Sequence, residues 1–373
     1  MNRFSYLLTE LKRLDWLLIG AVVLLVCFGL AAIYSVALGQ GQQQFGNFQK
    51  QLIWLLLGLV VMLVIAQIDY HVWRRVSWIL YGVALVLLLL VLTPLGATIR
   101  GTRGWFALGP VSFQPVEAAK ITMLMVLAFL SSRFGRSIYK LWQLGLLGVV
   151  AFIPFAFVML QPDFGSGMVL FFVWLAIFLL LVKKKWHIAF VAGTLVVSFA
   201  FAWFFVFADF QQARILTFIN PDLDPLGRGY NVRQSIIAVG AGRLFGRGLG
   251  FGSQSQLKFI PESQTDFIFA VIAEELGLIG VMLVVGLFAF VLYRLYRIAA
   301  RAPDDFGMFL VLLIGVLLFV QVFINIGFCV GLLPVTGISL PLVSYGGSFL
   351  LTIMALMGIV QSVHRQAVVG RRE

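Results

Sequence analysis

Charge is what this sequence has least of. Of its 373 residues only 11% are Asp, Glu, Lys or Arg, and just 15 are acidic. A soluble fold of this length must cover its surface with charge, so a supply this small excludes one. Only two cysteines occur, Cys27 and Cys329, both inside apolar runs. They exclude a disulfide scaffold and read as small core residues. The three histidines, His71, His187 and His364, are far apart and form no zinc set with them. Short alternating strands are missing as well, which excludes a membrane barrel. Neither an internal repeat nor an inverted pair of broken helices is evident, which weighs against a transporter. The opening MNRFSYLLTELKRLDW has basic residues before an apolar run but no small-residue cleavage site, so it reads as the start of a retained first helix.

What is present is apolar. Hydrophobic residues make up 61% of the chain, with 36 Phe, 9 Trp and a mean hydropathy of +1.03. Runs of spanning length fall at 16–38, 51–68, 77–92, 116–130, 144–160, 165–182, 188–207, 267–292, 309–333 and 349–363. They predict an all-α polytopic membrane protein with ten transmembrane helices in a single membrane domain, 1–373. Counted on alternate sides, 17 of the 27 Lys and Arg fall with the N-terminus, which predicts that both termini are cytoplasmic. The net charge of +12 is therefore a topology signal, and no soluble basic domain exists to bind nucleic acid.

Two long extracytoplasmic loops, 94–115 and 209–266, stand on the other side, and connections of that length are usually functional. They hold Arg100, Arg103, Arg214, Arg228, Arg233, Arg243, Arg247 and Lys258. Positive charge on the disfavoured side calls for an anionic ligand. In the second loop GYNVRQSIIAVGAG predicts a short helix on or dipping into the membrane. The GRLFGRGLGFGSQS that follows carries Arg243 and Arg247 in a setting like a phosphate nest, but it is no P-loop and follows no strand.

Carboxylates mark the segment FIPESQTDFIFAVIAEELG, 259–277. Asp266 stands at the outer start of the eighth span, either as a helix cap or as a general base at the membrane surface. Glu274 and Glu275 lie deeper, where a carboxylate is a functional candidate by default, or else is bonded to neighbouring helices. They are turned from Asp266 by about 80° and 180°, so Glu274 is the better neighbour. Glu117 and Lys120, three apart in the fourth span, either neutralise one another or leave Lys120 to offer a compact cation to a phosphate. Arg103 in GTRGWF either holds a sugar or lipid headgroup beside its aromatic neighbour or is an interfacial anchor. Asp163 in LQPDFGSG borders the sixth span and would equally serve as its cap. LLPVTGISLPLVSYGG, 332–347, reads as non-helical chain buried in protein and lining a cavity, or as a packing hinge.

GTRGWFALGPVSFQPVEAAK, QPDFGSG, GRGYNVRQSIIAVGAG, GSQSQLKFIPESQTDFIFAVIAEELG and NIGFCVGLLPVTGISLPLVSYGG, in this order, resemble the SEDS family (shape, elongation, division and sporulation proteins), its elongation branch above all. Departures are mild, at Val116, Asn231 and Phe328, and remove no charged group. The resemblance implies ten helices, residence in the bacterial cytoplasmic membrane and an active site on its outer face. It implies an inverting peptidoglycan glycosyltransferase that polymerises lipid II, an undecaprenyl-diphosphate disaccharide pentapeptide, alongside a class B penicillin-binding protein transpeptidase. Asp266 then matches the essential carboxylate, Glu117 and Lys120 the fourth-helix motif, and Arg103 the loop arginine. The expected site has Asp266 as catalytic base, with Arg103, Glu117, Lys120, Asp163, Arg243, Arg247 and Glu274 binding substrate. A divalent cation, Mg2+ or Mn2+, is an optional helper for the diphosphate. Competing readings are a lipid II flippase, a division or sporulation paralogue, and a non-catalytic scaffold for the transpeptidase.

Overall fold

The computed structural model describes residues 11–369 apart from 41, 100, 110, 136, 137, 139, 206, 208, 221–226 and 258. Of the expected loop cations, Arg100 and Lys258 lie outside the described residues, as do the side chains of Arg214 and Arg228. Among the described residues ten helices are long and apolar enough to cross a membrane: α1 (Trp16–Gln40), α2 (Gln42–Gln67), α3 (Tyr70–Leu90), α4 (Pro115–Phe134), α5 (Leu141–Leu160), α6 (Phe164–Leu181), α7 (Lys185–Phe205), α11 (Ile268–Ala299), α12 (Asp305–Cys329) and α13 (Gly347–Val369). The two long connections carry structure of their own. The first is an antiparallel sheet in the order β1 (Ala97–Ile99), β2 (Thr102–Leu108), β3 (Val111–Phe113). The second holds, among its described residues, three helices, α8 (Asp209–Ile219), α9 (Arg228–Ala241) and α10 (Ser253–Gln256).

Several helices run past the apolar stretch that announces them. The third begins at Tyr70, seven residues before its apolar run, because Asp69 accepts a hydrogen bond from the His71 N–H and caps it. Asp304 does the same for α12 through the Gly307 N–H. Pro115 opens α4 at a position where its missing N–H costs nothing.

The bundle is built round α4 and α12. Of the most apolar stretch of α4, 78% is buried, and α3, α5 and α12 pack around it. Protein therefore replaces lipid as its solvent, and Glu117, Lys120, Thr122 and Ser131 are tolerated there. At the other extreme, 0% of the corresponding stretch of α7 is buried. α13 lies close along α2, where Gly358 leaves no room for a Cβ beside the Met62 carbonyl.

One end of the bundle is clamped by Asp15. Its carboxylate is 1% exposed and accepts from Nε and Nη2 of Arg294 on α11. Its main-chain N–H and C=O bond the Gln361 amide of α13, and its Oδ1 caps α1 through the Leu18 N–H. Arg294→Ala should cost about 3 kcal/mol, because it strands a buried carboxylate. A thermal or denaturant melt of the purified protein in detergent checks this, and an unchanged midpoint would show that the pair carries no stability. The sheet and α8–α10 occupy the opposite, loop-rich end.

Candidate active site

At the loop-rich end α11 starts at Ile268, and its N-cap position is Phe267, with no side-chain cap. Asp266 is therefore not the cap. It is partly exposed, between the buried runs Ser263–Thr265 and Phe267–Glu275. Its main-chain carbonyl accepts from Asn325 Nδ2 of α12 at 2.8 Å. Its Oδ2 faces Gly337, where an added Cβ would lie 3.5 Å away.

Gly337 belongs to the non-helical stretch between α12 and α13, whose backbone polar groups are met by side chains of α2 and α12, by its own Ser344 and by the backbone of the segment before α11. Asn325 Nδ2 donates to the Ile338 carbonyl at 2.7 Å as well as to Asp266. The Ser344 hydroxyl donates to the Thr265 carbonyl and accepts from the Leu340 N–H. The Tyr345 N–H donates to the Gln264 carbonyl, and Gln51 of α2 bonds the Ser344 C=O and the Gly346 N–H. Burial pushes the Tyr345 phenol up, so it stays protonated. Residues 264–266 are thus stitched to 338–345, which fixes where the Asp266 carboxylate points. Sequence reading missed Asn325, Gln321, Gln51 and Ser344. The signal for the first two was polar amides inside the apolar run of α12.

On the far side of this stretch Gly165 presses on Thr336, whose carbonyl would be 2.6 Å from a Cβ there. Asp163 is the N-cap of α6, accepting from the Ser166 N–H at 3.0 Å, and its other oxygen receives Gln114 Nε2 at 3.3 Å. Gln114 leads into α4 and the Glu117–Lys120 pair. Lys120 Nζ is 2.6 Å from Glu117 Oε1, both are buried, and the ammonium lies 5.6 Å from the Phe349 ring centroid. Of the two arrangements the sequence offered, the pair takes the self-neutralising one, with low-dielectric surroundings holding Lys120 on its own carboxylate. Among the described residues Glu117 Oε2, Thr336 Oγ1, Asn325 Oδ1 and both polar atoms of the Gln321 amide are buried and find no hydrogen-bond partner, so this interior is polar beyond what those residues satisfy.

Arg103 is half-buried on β2 and donates to the Thr93 carbonyl at 2.9 Å, while Gly104 packs on Gln161 in the turn before Asp163. The structure thus gathers Asp266, Asp163, the Glu117–Lys120 pair and Arg103 around 336–338 and the start of α6.

It does not bring Glu274, Arg243 or Arg247 there. Glu274 is 0% exposed, and its oxygens accept the N–H groups of Gln254 and Ser255 and the Ser253 hydroxyl. Glu274 thus follows the other reading its depth allowed, a carboxylate bonded within the protein, and it anchors α10. Glu275 is likewise used, accepting from the Ser35 hydroxyl of α1 at 2.6 Å. Arg243 and Arg247 lie in a strap bound to the break in α11 at Gly277, where the Arg247 and Gly248 N–H groups donate to the carbonyls of Glu274 and Glu275, and Leu278 and Ile279 donate back to Arg243 and Leu244. Among the described residues no three His, Cys, Asp or Glu side chains converge as a metal cage. Single carboxylates such as Asp266 suit Mg2+ only together with substrate phosphates.

A family model for the FtsW, RodA and SpoVE group, described as cell cycle protein, matches residues 15–368. The peptidoglycan glycosyltransferase MrdB of Escherichia coli K12 is 40% identical over 354 residues, covering 94% of each chain. Stage V sporulation protein E of Bacillus subtilis is 38% identical over 360 residues, covering 94% of this chain and 97% of that one. Among solved structures, the rod shape determining protein RodA of Thermus thermophilus superposes with a TM-score of 0.70 at 30% identity, covering 95% of this chain and 97% of that one. A chain of a peptidoglycan synthase complex reaches a TM-score of 0.79 at 31% identity, covering 95% and 98%.

Proposed function

The chain belongs to the FtsW/RodA/SpoVE family, multi-pass membrane proteins with peptidoglycan glycosyltransferase activity, and from that premise we propose that it polymerises lipid II with Asp266 as its general base. Asp266 takes the proton of the acceptor's 4-hydroxyl. The freed oxygen attacks the anomeric carbon of the lipid-linked donor, the bond from that carbon to the diphosphate oxygen breaks, and configuration inverts. No nucleotide is consumed, because the lipid diphosphate is already an activated leaving group. The observation that carries this reading is a partly exposed carboxylate at the loop-rich end whose backbone is locked from α12 and 338–345.

Arg103 supplies positive charge near the departing diphosphate, and a divalent cation, Mg2+ or Mn2+, would add to it. The Glu117–Lys120 pair holds the α4 end of the site in place. The excess of Lys and Arg on the side of the termini supports a bacterial cytoplasmic membrane with the loop-rich end outward. The partner fitting this chemistry is a class B penicillin-binding protein, which would crosslink the strand made here.

The test is glycan formation from lipid II by the purified protein, with and without that partner and with EDTA as a separate arm. Polymer supports the reading. Folded protein that makes none under any condition, yet moves labelled lipid II between leaflets, would replace it with a flippase. Asn325 serves as a positioning residue in this scheme. Asn325→Leu should lower kcat by about 10²-fold with little change in KM, since a small misplacement of the base suffices. A variant with full kcat would show that the tie to Ile338 is dispensable.

A further inference from the structure

Arg243 and Arg247 remain outside the constellation around Asp266, yet both are exposed, and neither has an ion-pair partner among the described residues. They line an open cleft of about 710 Å³ whose other walls include Ile237, Gly240, Leu244 and Phe245. Two guanidinium groups beside apolar walls suit a phosphate attached to a hydrocarbon chain. Position supports the same chemistry. Beyond the break at Gly277 the uncharged part of α11, residues 278–293, advances roughly 24 Å and covers most of the roughly 30 Å hydrocarbon layer. The strap that carries both arginines is bonded to that break and so lies at the membrane boundary. Along it Phe245 and Phe251 are 76% and 77% exposed, as side chains that meet lipid would be.

Resting on the polymerase reading, we propose that this cleft holds the diphosphate of the acceptor lipid and not that of the donor. The reaction brings two lipid-linked diphosphates together, and they stand at different distances from the base. The donor's is bonded to the carbon under attack, so it must lie within contact range of the sugar oxygen that Asp266 deprotonates. The acceptor's hangs from the other end of the disaccharide whose 4-hydroxyl reacts. From its start at Ile268, just past Asp266, to the Glu275 carbonyl, to which the strap is bonded, α11 advances roughly 10 Å toward the membrane. That is too far for a leaving group, and it is the scale of a disaccharide extended by its diphosphate. The strap is also held rigidly enough to act as a ruler. Glu274 binds α10, the Ser253 hydroxyl donates to Glu274 and accepts from Arg247 Nη1 at 2.9 Å, and the Gly250 N–H donates to Ser35 of α1. Glu274 thereby becomes a positioning residue for Arg247.

Two analogues separate the subsites. A lipid-linked glycan ending in the 4-epimer of its terminal sugar can donate but not accept. A lipid II whose anomeric oxygen is replaced by a methylene group can accept but not donate. Mixed, they undergo one defined transfer, and KM can be measured for each in nanodiscs of zwitterionic lipid. For R243A/R247A the acceptor KM should rise about tenfold or more while the donor KM stays as in the wild type, with R243K/R247K falling between. A rise in donor KM instead would return the arginines to the leaving group. No change in either, with wild-type turnover alone responding to added anionic phospholipid, would assign them to bulk headgroups. A wild-type protein that yields no product would overturn the polymerase reading itself, and this subsite with it. Matched melting curves of the variants show that the arginines, which are exposed, are not needed for folding.

Discussion

Asp266→Asn should lower glycan polymerisation by about 10²- to 10⁴-fold while leaving the fold intact, the range expected when a general base loses its ability to accept a proton. Asparagine has the same shape, and the bond from Asn325 goes to the main-chain carbonyl of residue 266, which the substitution keeps. Gly337 opposite presents no side chain to clash. The measurement is initial polymerisation rate from lipid II for wild type and D266N, each with a melting curve. A variant that keeps even a third of the wild-type rate would remove the base from this carboxylate. If D266N lost activity and thermal stability together, the residue would be structural and the chemistry would have to be sought elsewhere in the loop-rich end.

Gly277→Ala carries the largest expected structural effect. Its backbone stands at φ 64° and ψ −163°, a region open to glycine and strained for any residue with a Cβ. A Cβ would also lie 2.2 Å from the Gly246 nitrogen and 2.7 Å from the Leu244 carbonyl oxygen, so the strap of residues 243–248 would have to move off α11. Four main-chain hydrogen bonds across the break would go with it. Backbone strain and stranded peptide groups together should cost at least about 3 kcal/mol. Limited proteolysis should then cut within residues 243–257 faster than it does in the wild type. Gly286→Ala is the control on the same helix: a Cβ there meets nothing within 4 Å, so it should be neutral or slightly stabilising. Equal stability of G277A and G286A would show that the strap is not docked as described.

The ten spans were legible because membrane residence is written locally, in runs of apolar residues that need no partner to be recognised. Even the fourth, the least apolar, was found, although the reason it can carry Glu117 and Lys120 lies in α3, α5 and α12 packed around it. The two long loops were legible by length. Their internal sheet and the strap on Gly277 were not, since short strands and glycine turns have little local signal. The polar amides of α12 were visible as residues but not as the ties they form.

Asp266 and Glu274 make the division plain. Both are carboxylates at or near the start of one helix, eight residues apart, and periodicity alone made them neighbours of one site. By itself the sequence determined that this chain lives in a membrane, that a carboxylate-rich segment and a second group of cations stand in the long loops and beside them, and which few residues were candidates for acid–base chemistry there. Only the tertiary structure decided which of them faces outward. Residues 253–255 fold back and use up Glu274, while Asn325 and Ser344, from elsewhere in the chain, hold Asp266 at the surface. A carboxylate's role is set by what satisfies its oxygens, and those partners are chosen by packing across the whole chain.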